Sequence, residues 1–285
     1  MKFFLAALCL AAGLSAAPDL RTVKPDLALP PLSNAQAAAG SRVKETHPDW
    51  KGTSVYHVLY LPRDWRAGKS YPVLVEYAGN GPYKGRFGDV STGHPEGSKM
   101  GYGISGGAGF IWVCLPYLNN AGKKNVTQWW GDAPQRDARP TVDYCKKAVP
   151  WICKKYGGDP KRVILCGFSR GAIACNYIGL HNDRIAKLWR AFIPYSHYDG
   201  VNERWGYPNA DRKSALARLR RLGNRPQFIC HEGGGVAATR HWVESTGIQG
   251  QFTFRSTGFR NHNDAWLLRP SPARRTLREW LKKSL

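Results

Sequence analysis

The fold is decided by a stretch near the middle of the chain, which reads Arg162-Val163-Ile164-Leu165-Cys166-Gly167-Phe168-Ser169-Arg170-Gly171-Ala172-Ile173-Ala174-Cys175. The apolar run over residues 163–166 has the length of a strand that is buried on both faces of a parallel sheet. The next five residues fit the pattern G-x-S-x-G, and the Ala-rich segment after them favours a helix. A strand, a tight turn and a helix are the context in which this pattern presents a serine nucleophile.

The glycines that flank Ser169 leave room for the strand and the helix to approach each other on a strained turn. Such a turn lifts the serine hydroxyl clear of the sheet and places the N–H groups that follow it where they can stabilise an oxyanion. In these residues the chain resembles the α/β-hydrolase superfamily of serine hydrolases. The alternative from the residues alone is an ordinary glycine-rich turn between a strand and a helix.

Length and composition set the size and the charge of the domain. The chain has 285 residues, 42% of them hydrophobic, which is enough for one α/β domain with a sizeable core. Its formal net charge of +22 is spread along the chain. This charge would attract an anionic polysaccharide or polymer, although a solvated basic surface is the alternative. No zinc-finger spacing or RNA-binding signature is present, so no nucleic-acid partner is predicted.

The N-terminus has the features of an export signal. In residues 1–17, Lys2 precedes an apolar run that ends in small residues, as in a secretory signal peptide. No other apolar run reaches the length of a membrane span, so we expect a secreted or periplasmic protein. Export permits disulfides, and we expect at most one bridge, which would involve Cys145, Cys153 or Cys175.

Strands alternate with helices along most of the chain, and no internal domain boundary is evident. Residues 18–50 predict a leader that wraps the domain or stays loose, and residues 51–285 predict one catalytic domain. Predicted strands lie at 54–61, 71–77, 109–115, 163–166, 188–195, 227–230 and 251–256, and predicted helices at 138–156, 170–181, 211–222, 236–245 and 271–285. This order predicts an α/β fold with a mostly parallel sheet between two helical layers, which is the three-layer α/β-hydrolase fold that the resemblance implies.

The resemblance also implies a catalytic triad. A serine hydroxyl needs a histidine to take its proton and a carboxylate to hold the imidazole in the correct tautomer. In this superfamily the chain order is Ser, acid, His, which assigns Ser169 as the nucleophile and His262, in the loop after the last predicted strand, as the base. The loop after the penultimate strand contains no Asp, and its carboxylate is Glu232. Asp199, one loop earlier, is the alternative acid.

Backbone N–H groups are the expected oxyanion donors. The resemblance assigns one donor to Arg170 and the second to Gly79 or Asn80, in the loop after the strand at 71–77. The guanidinium of Arg170 could also reach an oxyanion or a substrate carboxylate, or it could pair with a surface acid.

Aromatic residues in two loops are candidates for substrate binding. Tyr102 lies in the glycine-rich stretch over residues 83–108, and Trp129 and Trp130 are adjacent in the loop over residues 116–135. Paired tryptophans could stack against a sugar ring or an aromatic acyl group, or they could plug the loop onto the core.

Taken together, the sequence predicts a secreted serine esterase that cleaves a carbohydrate- or polymer-linked carboxylic ester through an acyl-enzyme. One alternative is a serine peptidase of the prolyl-oligopeptidase type, and another is a non-catalytic polysaccharide-binding module on the same scaffold. No cofactor and no metal are predicted. A zinc site at His231, Glu232 and His241 is a weaker reading, because no pair of histidines has the i, i+4 spacing of a helical site.

Overall fold

The computed structural model describes residues 17–285, so the predicted signal peptide lies almost wholly outside the described residues. A nine-stranded sheet runs through this part of the chain. Its strands are β1 Leu32–Ser33, β2 Arg42–Glu45, β3 His57–Tyr60, β4 Tyr71–Tyr77, β5 Ile111–Leu115, β6 Gly158–Phe168, β7 Ala191–Tyr195, β8 Gln227–His231 and β9 Phe252–Ser256. The spatial order is β1-β2-β3-β5-β4-β6-β7-β8-β9. Strand β3 is antiparallel to both neighbours, and the other pairs are parallel.

Helices cover both faces of the sheet. In residues 17–285 the α-helices are α1 Met100–Ser105, α2 Arg139–Tyr156, α3 Arg170–Tyr177, α4 Asp183–Ala186, α5 Arg212–Leu219, α6 Val236–Ser245 and α7 Pro272–Ser284. Successive side chains of β4 alternate between two cores: Val73 and Val75 pack with helices α2 to α6, and Leu74 packs with α1 and α7. A strand that is apolar on both faces is stable only between two helical layers, which explains the continuous apolar runs of β4 and β6.

The residues assigned to a leader contribute to the sheet. Strand β2 pairs antiparallel with β3, and β1 extends the same edge. The sequence of β2 is Arg-Val-Lys-Glu, and Val43 is its only apolar residue, so the strand has no apolar periodicity by which it could be recognised. The N-terminal segment therefore wraps the domain and is partly built into it.

The cysteines of the described residues are free thiols. Cys145 and Cys153 lie in α2, Cys175 lies in α3, and all three are buried without forming a bridge within residues 17–285. Burial raises the pKa of the Cys145 thiol to about 12, so this side chain behaves as a small hydrophobe. None of the helices in the same residues is long and apolar enough to cross a membrane.

Candidate active site

Ser169 occupies a strained turn between β6 and α3. Its φ of 56° and ψ of −115° lie in a region that residues with a side chain rarely adopt. The neighbouring glycines are required by close backbone contacts: a Cβ on Gly167 would lie 2.2 Å from the Gly171 oxygen, and a Cβ on Gly171 would lie 1.9 Å from the Tyr77 oxygen. The turn is therefore compressed in the way that the G-x-S-x-G pattern predicts.

A chain of hydrogen bonds joins Ser169 to two loops at the carboxyl ends of later strands. The Ser169 Oγ lies 3.0 Å from Nε2 of His262, and Nδ1 of the same imidazole lies 2.7 Å from Oε1 of Glu232. Glu232 follows β8 directly, and His262 lies in the loop after β9. Because β6, β8 and β9 point the same way, their carboxyl ends bring these three side chains to one edge of the sheet.

The carboxyl group of Glu232 is ionised. Burial alone would raise its pKa, but the hydrogen bond with His262 and the electrostatic interactions with the His231 and His262 imidazoles outweigh burial and lower the pKa to about 2. An ionised carboxylate at 2.7 Å holds the proton of the imidazole on Nδ1, which leaves Nε2 to accept the proton of the Ser169 hydroxyl.

Asp199, the alternative acid, is engaged elsewhere. Arg218 donates to both of its oxygens, at 2.7 and 3.0 Å, and the Tyr207 hydroxyl donates at 3.0 Å. Asp199 therefore forms a buried ion pair with Arg218, near the C-terminal end of α5.

Ser196 is a member of this hydrogen-bond chain that the sequence does not reveal. Its Oγ lies 3.0 Å from Oε1 of Glu232 and 2.8 Å from Nδ1 of His262. The residue is fully buried and has a φ of 88°, again in the left-handed region. Ser196 follows β7 directly, and its position at a strand end was the only signal that could have singled it out.

The side chain of Arg170 points into the protein. The residue is 1% exposed, and its guanidinium donates to the carbonyl oxygens of Gly79 at 2.9 Å, Gly93 at 3.1 Å and Trp129. The expectation that the guanidinium reaches a substrate or a surface acid is wrong, because its terminal NH2 groups are buried and donate to loop carbonyls. The backbone N–H of Arg170 begins α3, where such groups have no partner within the helix.

The other proposed donor loop is fixed by contacts on two sides. The Gly79 carbonyl faces the guanidinium, and the side-chain oxygen of Asn80 accepts from the Trp129 N–H at 2.7 Å. A Cβ on Gly79 would lie 3.0 Å from the ring of Phe168, so a larger residue would strain this contact.

Two of the three residues predicted to bind substrate are core residues. Trp130 is fully buried and stacks on Tyr177, with ring centroids 4.2 Å apart. Tyr102 is 4% exposed and packs edge-on against Tyr60 in the core formed with α1 and α7. The prediction that these two rings bind substrate is therefore wrong, because neighbouring core side chains cover both rings. Trp129 is partly exposed, and its role in substrate binding stays a prediction.

Further aromatic rings surround His262. The Tyr83 ring lies 5.4 Å from the imidazole and is 40% exposed, and the His197 ring lies 5.1 Å away. Trp205 is 4.7 Å from His197 and 6.2 Å from Trp129, so these rings form one partly exposed surface. Burial and then the neighbouring His262 lower the pKa of His197 to about 3, which keeps it neutral.

Within residues 17–285, no group of three or more His, Cys, Asp or Glu side chains is arranged to hold a metal ion. Of the three residues considered as a zinc site, Glu232 instead has its carboxylate 2.7 Å from Nδ1 of His262.

Comparison with known proteins shows the fold. No family model and no curated sequence matches the chain. The structure is similar to S-formylglutathione hydrolase from Agrobacterium tumefaciens, with a TM-score of 0.57 and 13% identity over 87% of this chain and 96% of that one. It is also similar to a fungal esterase from Rhizomucor miehei, with a TM-score of 0.54 and 11% identity over 87% and 84% of the two chains.

A third similar structure, from Bacteroides ovatus, is named as a dipeptidyl aminopeptidase IV, with a TM-score of 0.55 and 15% identity over 86% of this chain. The match spans 36% of that peptidase, and a further match spans 62% of a thermostable esterase, with a TM-score of 0.49 and 15% identity over 85% of this chain. The hydrolase from Agrobacterium tumefaciens, the fungal esterase and the Bacteroides ovatus protein are α/β-hydrolases, and their similarity to this chain confirms the predicted fold. The chain has the α/β-hydrolase fold.

Proposed function

We propose that the protein is a secreted serine hydrolase that cleaves carboxylic esters through an acyl-enzyme. The observation that carries the proposal is the chain of hydrogen bonds from Ser169 Oγ through His262 to Glu232, on a strained turn at the carboxyl end of the sheet. The esterase and hydrolase neighbours support it through the fold. Export is the part of the proposal that rests on residues 1–17 alone.

The proposed reaction uses the hydrogen-bond chain from Ser169 through His262 to Glu232. Ser169 Oγ attacks the ester carbonyl carbon while Nε2 of His262 takes the hydroxyl proton, so a C–O bond forms and the carbonyl oxygen becomes an oxyanion. The backbone N–H groups of Arg170 and of Gly79 or Asn80 are the proposed donors to that oxyanion. When the intermediate collapses, the ester C–O bond breaks and the leaving alcohol takes the proton from His262. Water then repeats the sequence and releases the acid.

Glu232 and Ser196 act on the imidazole rather than on the substrate. The Glu232 carboxylate stabilises the imidazolium that forms when His262 takes the proton. The Ser196 hydroxyl is within reach of the same carboxylate oxygen and of Nδ1, so it limits rotation of both side chains.

The aromatic surface supports an ester whose alcohol carries a ring. His262 protonates the leaving alcohol, so the rings packed on its imidazole line the alcohol side of the site. Tyr83, His197 and Trp205 present partly exposed, uncharged faces there, which suit the C–H face of a sugar or an aromatic ring. We propose a carbohydrate- or polymer-linked ester on this basis.

A fluorophosphonate probe tests the serine assignment. Such a probe phosphorylates an activated serine, so wild type should be labelled and Ser169→Ala should not. Ser33→Ala, which changes an exposed serine at the sheet edge, should be labelled like wild type. Equal labelling of the Ser169→Ala variant would contradict the proposal, and absence of labelling in wild type would favour a non-catalytic binding module.

The peptidase alternative has one supporting observation, the similarity in fold to the Bacteroides ovatus protein. Parallel assays with p-nitrophenyl acetate and a peptide p-nitroanilide separate the two activities. We expect turnover of the ester to exceed that of the anilide, and the reverse order would favour a peptidase.

A further inference from the structure

Arg170 is a buried cation without an anionic partner in the described part of the chain. Its side chain makes no ion pair with a carboxylate of residues 17–285, and burial lowers the pKa of the guanidinium to about 10, so it remains protonated near neutral pH. The guanidinium lies 3.7 Å above the ring of Tyr117, and its remaining contacts are the three loop carbonyls. Burying a charge without an anionic partner costs free energy, so we expect the guanidinium to have a function next to Ser169.

The three carbonyls belong to the loops that surround Ser169. Gly79 lies in the proposed donor loop after β4, and Gly93 follows the hairpin over residues 83–91. Trp129 lies in the loop over residues 116–135, and its ring is part of the aromatic surface. The Trp129 N–H also donates to the side chain of Asn80. One guanidinium therefore contacts three loop segments, and the first and third of these are also joined by a hydrogen bond from the Gly81 N–H to the Thr127 carbonyl at 2.9 Å.

The contacts fix the direction of the donor N–H groups. In a trans peptide the C=O and the N–H point in opposite directions, and the two peptides on either side of Gly79 are trans. The Gly79 carbonyl faces Arg170, so the Asn80 N–H points away from the guanidinium. The Ala78 carbonyl accepts from the Tyr117 hydroxyl at 3.1 Å, so the Gly79 N–H points away from Tyr117.

We propose that Arg170 and Tyr117 are positioning residues for the oxyanion donors: the Arg170 guanidinium, stacked on Tyr117, orients the Asn80 N–H, and the Tyr117 hydroxyl orients the Gly79 N–H. Arg170 then serves the same oxyanion twice, directly through its backbone N–H and indirectly through its side chain. The inference rests on the proposed hydrolase function and deepens it. In this proposal the guanidinium acts through the loop carbonyls and does not contact the substrate.

Arg170→Ala removes the side chain and keeps the backbone N–H. Oxyanion donors act in the transition state, so we expect kcat for p-nitrophenyl acetate to fall roughly 100- to 1,000-fold with little change in KM. Affinity for an alkyl boronic acid, which forms a tetrahedral adduct on the serine, should fall in parallel. Millimolar methylguanidinium should restore at least a tenfold part of the lost kcat, and methylammonium at equal ionic strength should not. Arg139→Ala, at an exposed arginine of α2, is the matched control.

Tyr117→Phe is the second variant, which removes only the hydroxyl that holds the Ala78 carbonyl. We expect kcat to fall about tenfold with unchanged KM, from the loss of one hydrogen bond. If Arg170→Ala does not fold, this variant still tests the Tyr117 hydroxyl, and Arg170→Lys tests the guanidinium, because a single ammonium cannot donate to the three carbonyls in the same geometry. Unchanged kcat and boronate affinity in the folded variants would overturn it, as would a loss of activity that only matches the loss of folded protein in circular dichroism. Failure of the fluorophosphonate to label wild type would instead overturn the proposed function.

Discussion

At the residue scale, the candidate site depends on two serines with left-handed backbone. Ser169 has a φ of 56° and Ser196 a φ of 88°. Each such conformation costs about 1–3 kcal/mol for a residue with a side chain. Glycine would relieve this strain but would supply no hydroxyl. Both hydroxyls contact His262, so the strain is retained where a side-chain oxygen is needed.

Glu232→Gln tests the identity of the acid. The amide cannot stabilise an imidazolium, so we expect kcat to fall by roughly 10²- to 10⁴-fold with the fold intact. Asp199→Asn should instead lower the free energy of unfolding by about 3–5 kcal/mol, because it leaves Arg218 buried without its partner. Steady-state kinetics and urea unfolding of both variants measure the two effects. A larger loss of kcat per folded molecule in Asp199→Asn would show that the assignment is wrong.

The same carboxyl predicts a pH dependence of stability. Its pKa is about 2 in the folded protein against an ordinary value of 4.5, so its stabilising contribution is present above pH 4.5 and is lost as the pH falls toward 2. At about 1.4 kcal/mol for each pH unit, wild type should lose roughly 3 kcal/mol more than Glu232→Gln over this interval. Urea unfolding at stepped pH measures the difference. Glu279→Gln, on the exposed side of α7, should follow wild type.

At the element scale, the loop that carries His262 is held by a neighbouring hairpin. Asp89, in the loop that connects the two strands of the 83–91 hairpin, is buried and accepts from the side-chain amides of Asn261 and Asn263, each at 3.1 Å. The Asn261 oxygen accepts from the Leu20 N–H at 2.7 Å. The two residues that flank His262 are thus fixed by one carboxylate, in a loop that has no backbone ladder of its own.

Asp89→Asn tests this arrangement with a nearly isosteric change. Both asparagines donate to Oδ1, and in the neutral amide these two hydrogen bonds lose their charge assistance, while the new NH2 group at the position of Oδ2 faces the Asn261 amide as donor against donor. We expect kcat to fall about tenfold, because His262 loses its fixed position, while KM changes little. Kinetics measured on material checked by circular dichroism give the result. Asp143→Asn, an exposed position in α2, is the control, and an equal effect there would contradict the role of Asp89.

At the scale of the whole molecule, the N-terminal segment and the surface charge both bear on the site. The Pro18 carbonyl accepts from the Arg260 N–H, and the Asp26 and Leu27 N–H groups donate to the Leu268 carbonyl. The segment therefore lies against the chain on both sides of His262. The net charge of +22 adds a long-range attraction for anionic polymers, which a neutral polymer does not share.

The charge predicts salt-sensitive binding to an anionic polysaccharide. Mobile ions screen attraction over about 10 Å at 0.1 M salt, so retention on immobilised polygalacturonate should fall at least tenfold between 50 and 300 mM NaCl. Retention on neutral dextran should be weak at both concentrations, and turnover of p-nitrophenyl acetate should change little. Salt-independent retention on polygalacturonate would show that the basic surface is simply solvated.

The comparison of sequence and structure separates local from long-range information. The strand, the turn at Ser169 and the helix after it are local features, because an apolar run and two glycines specify them within fourteen residues. The strands predicted at 71–77 and 227–230 and the helix predicted at 236–245 follow from the local residue pattern in the same way, and the structure ends the second strand one residue later, at His231. Strand β2 and the 83–91 hairpin have no such periodicity, since their pairing depends on distant partners.

The sequence by itself determined the α/β architecture, the turn that carries Ser169, and the order of the serine, the carboxylate and the imidazole along the chain. Tertiary structure decided which groups meet: Glu232 rather than Asp199 on His262, Ser196 beside both, and the Arg170 guanidinium turned inward. It also buried Trp130 and left Trp129 partly exposed, although the two are neighbours in sequence. The physical reason is that partners and burial are set by residues far away along the chain, whereas backbone conformation is set largely by near neighbours.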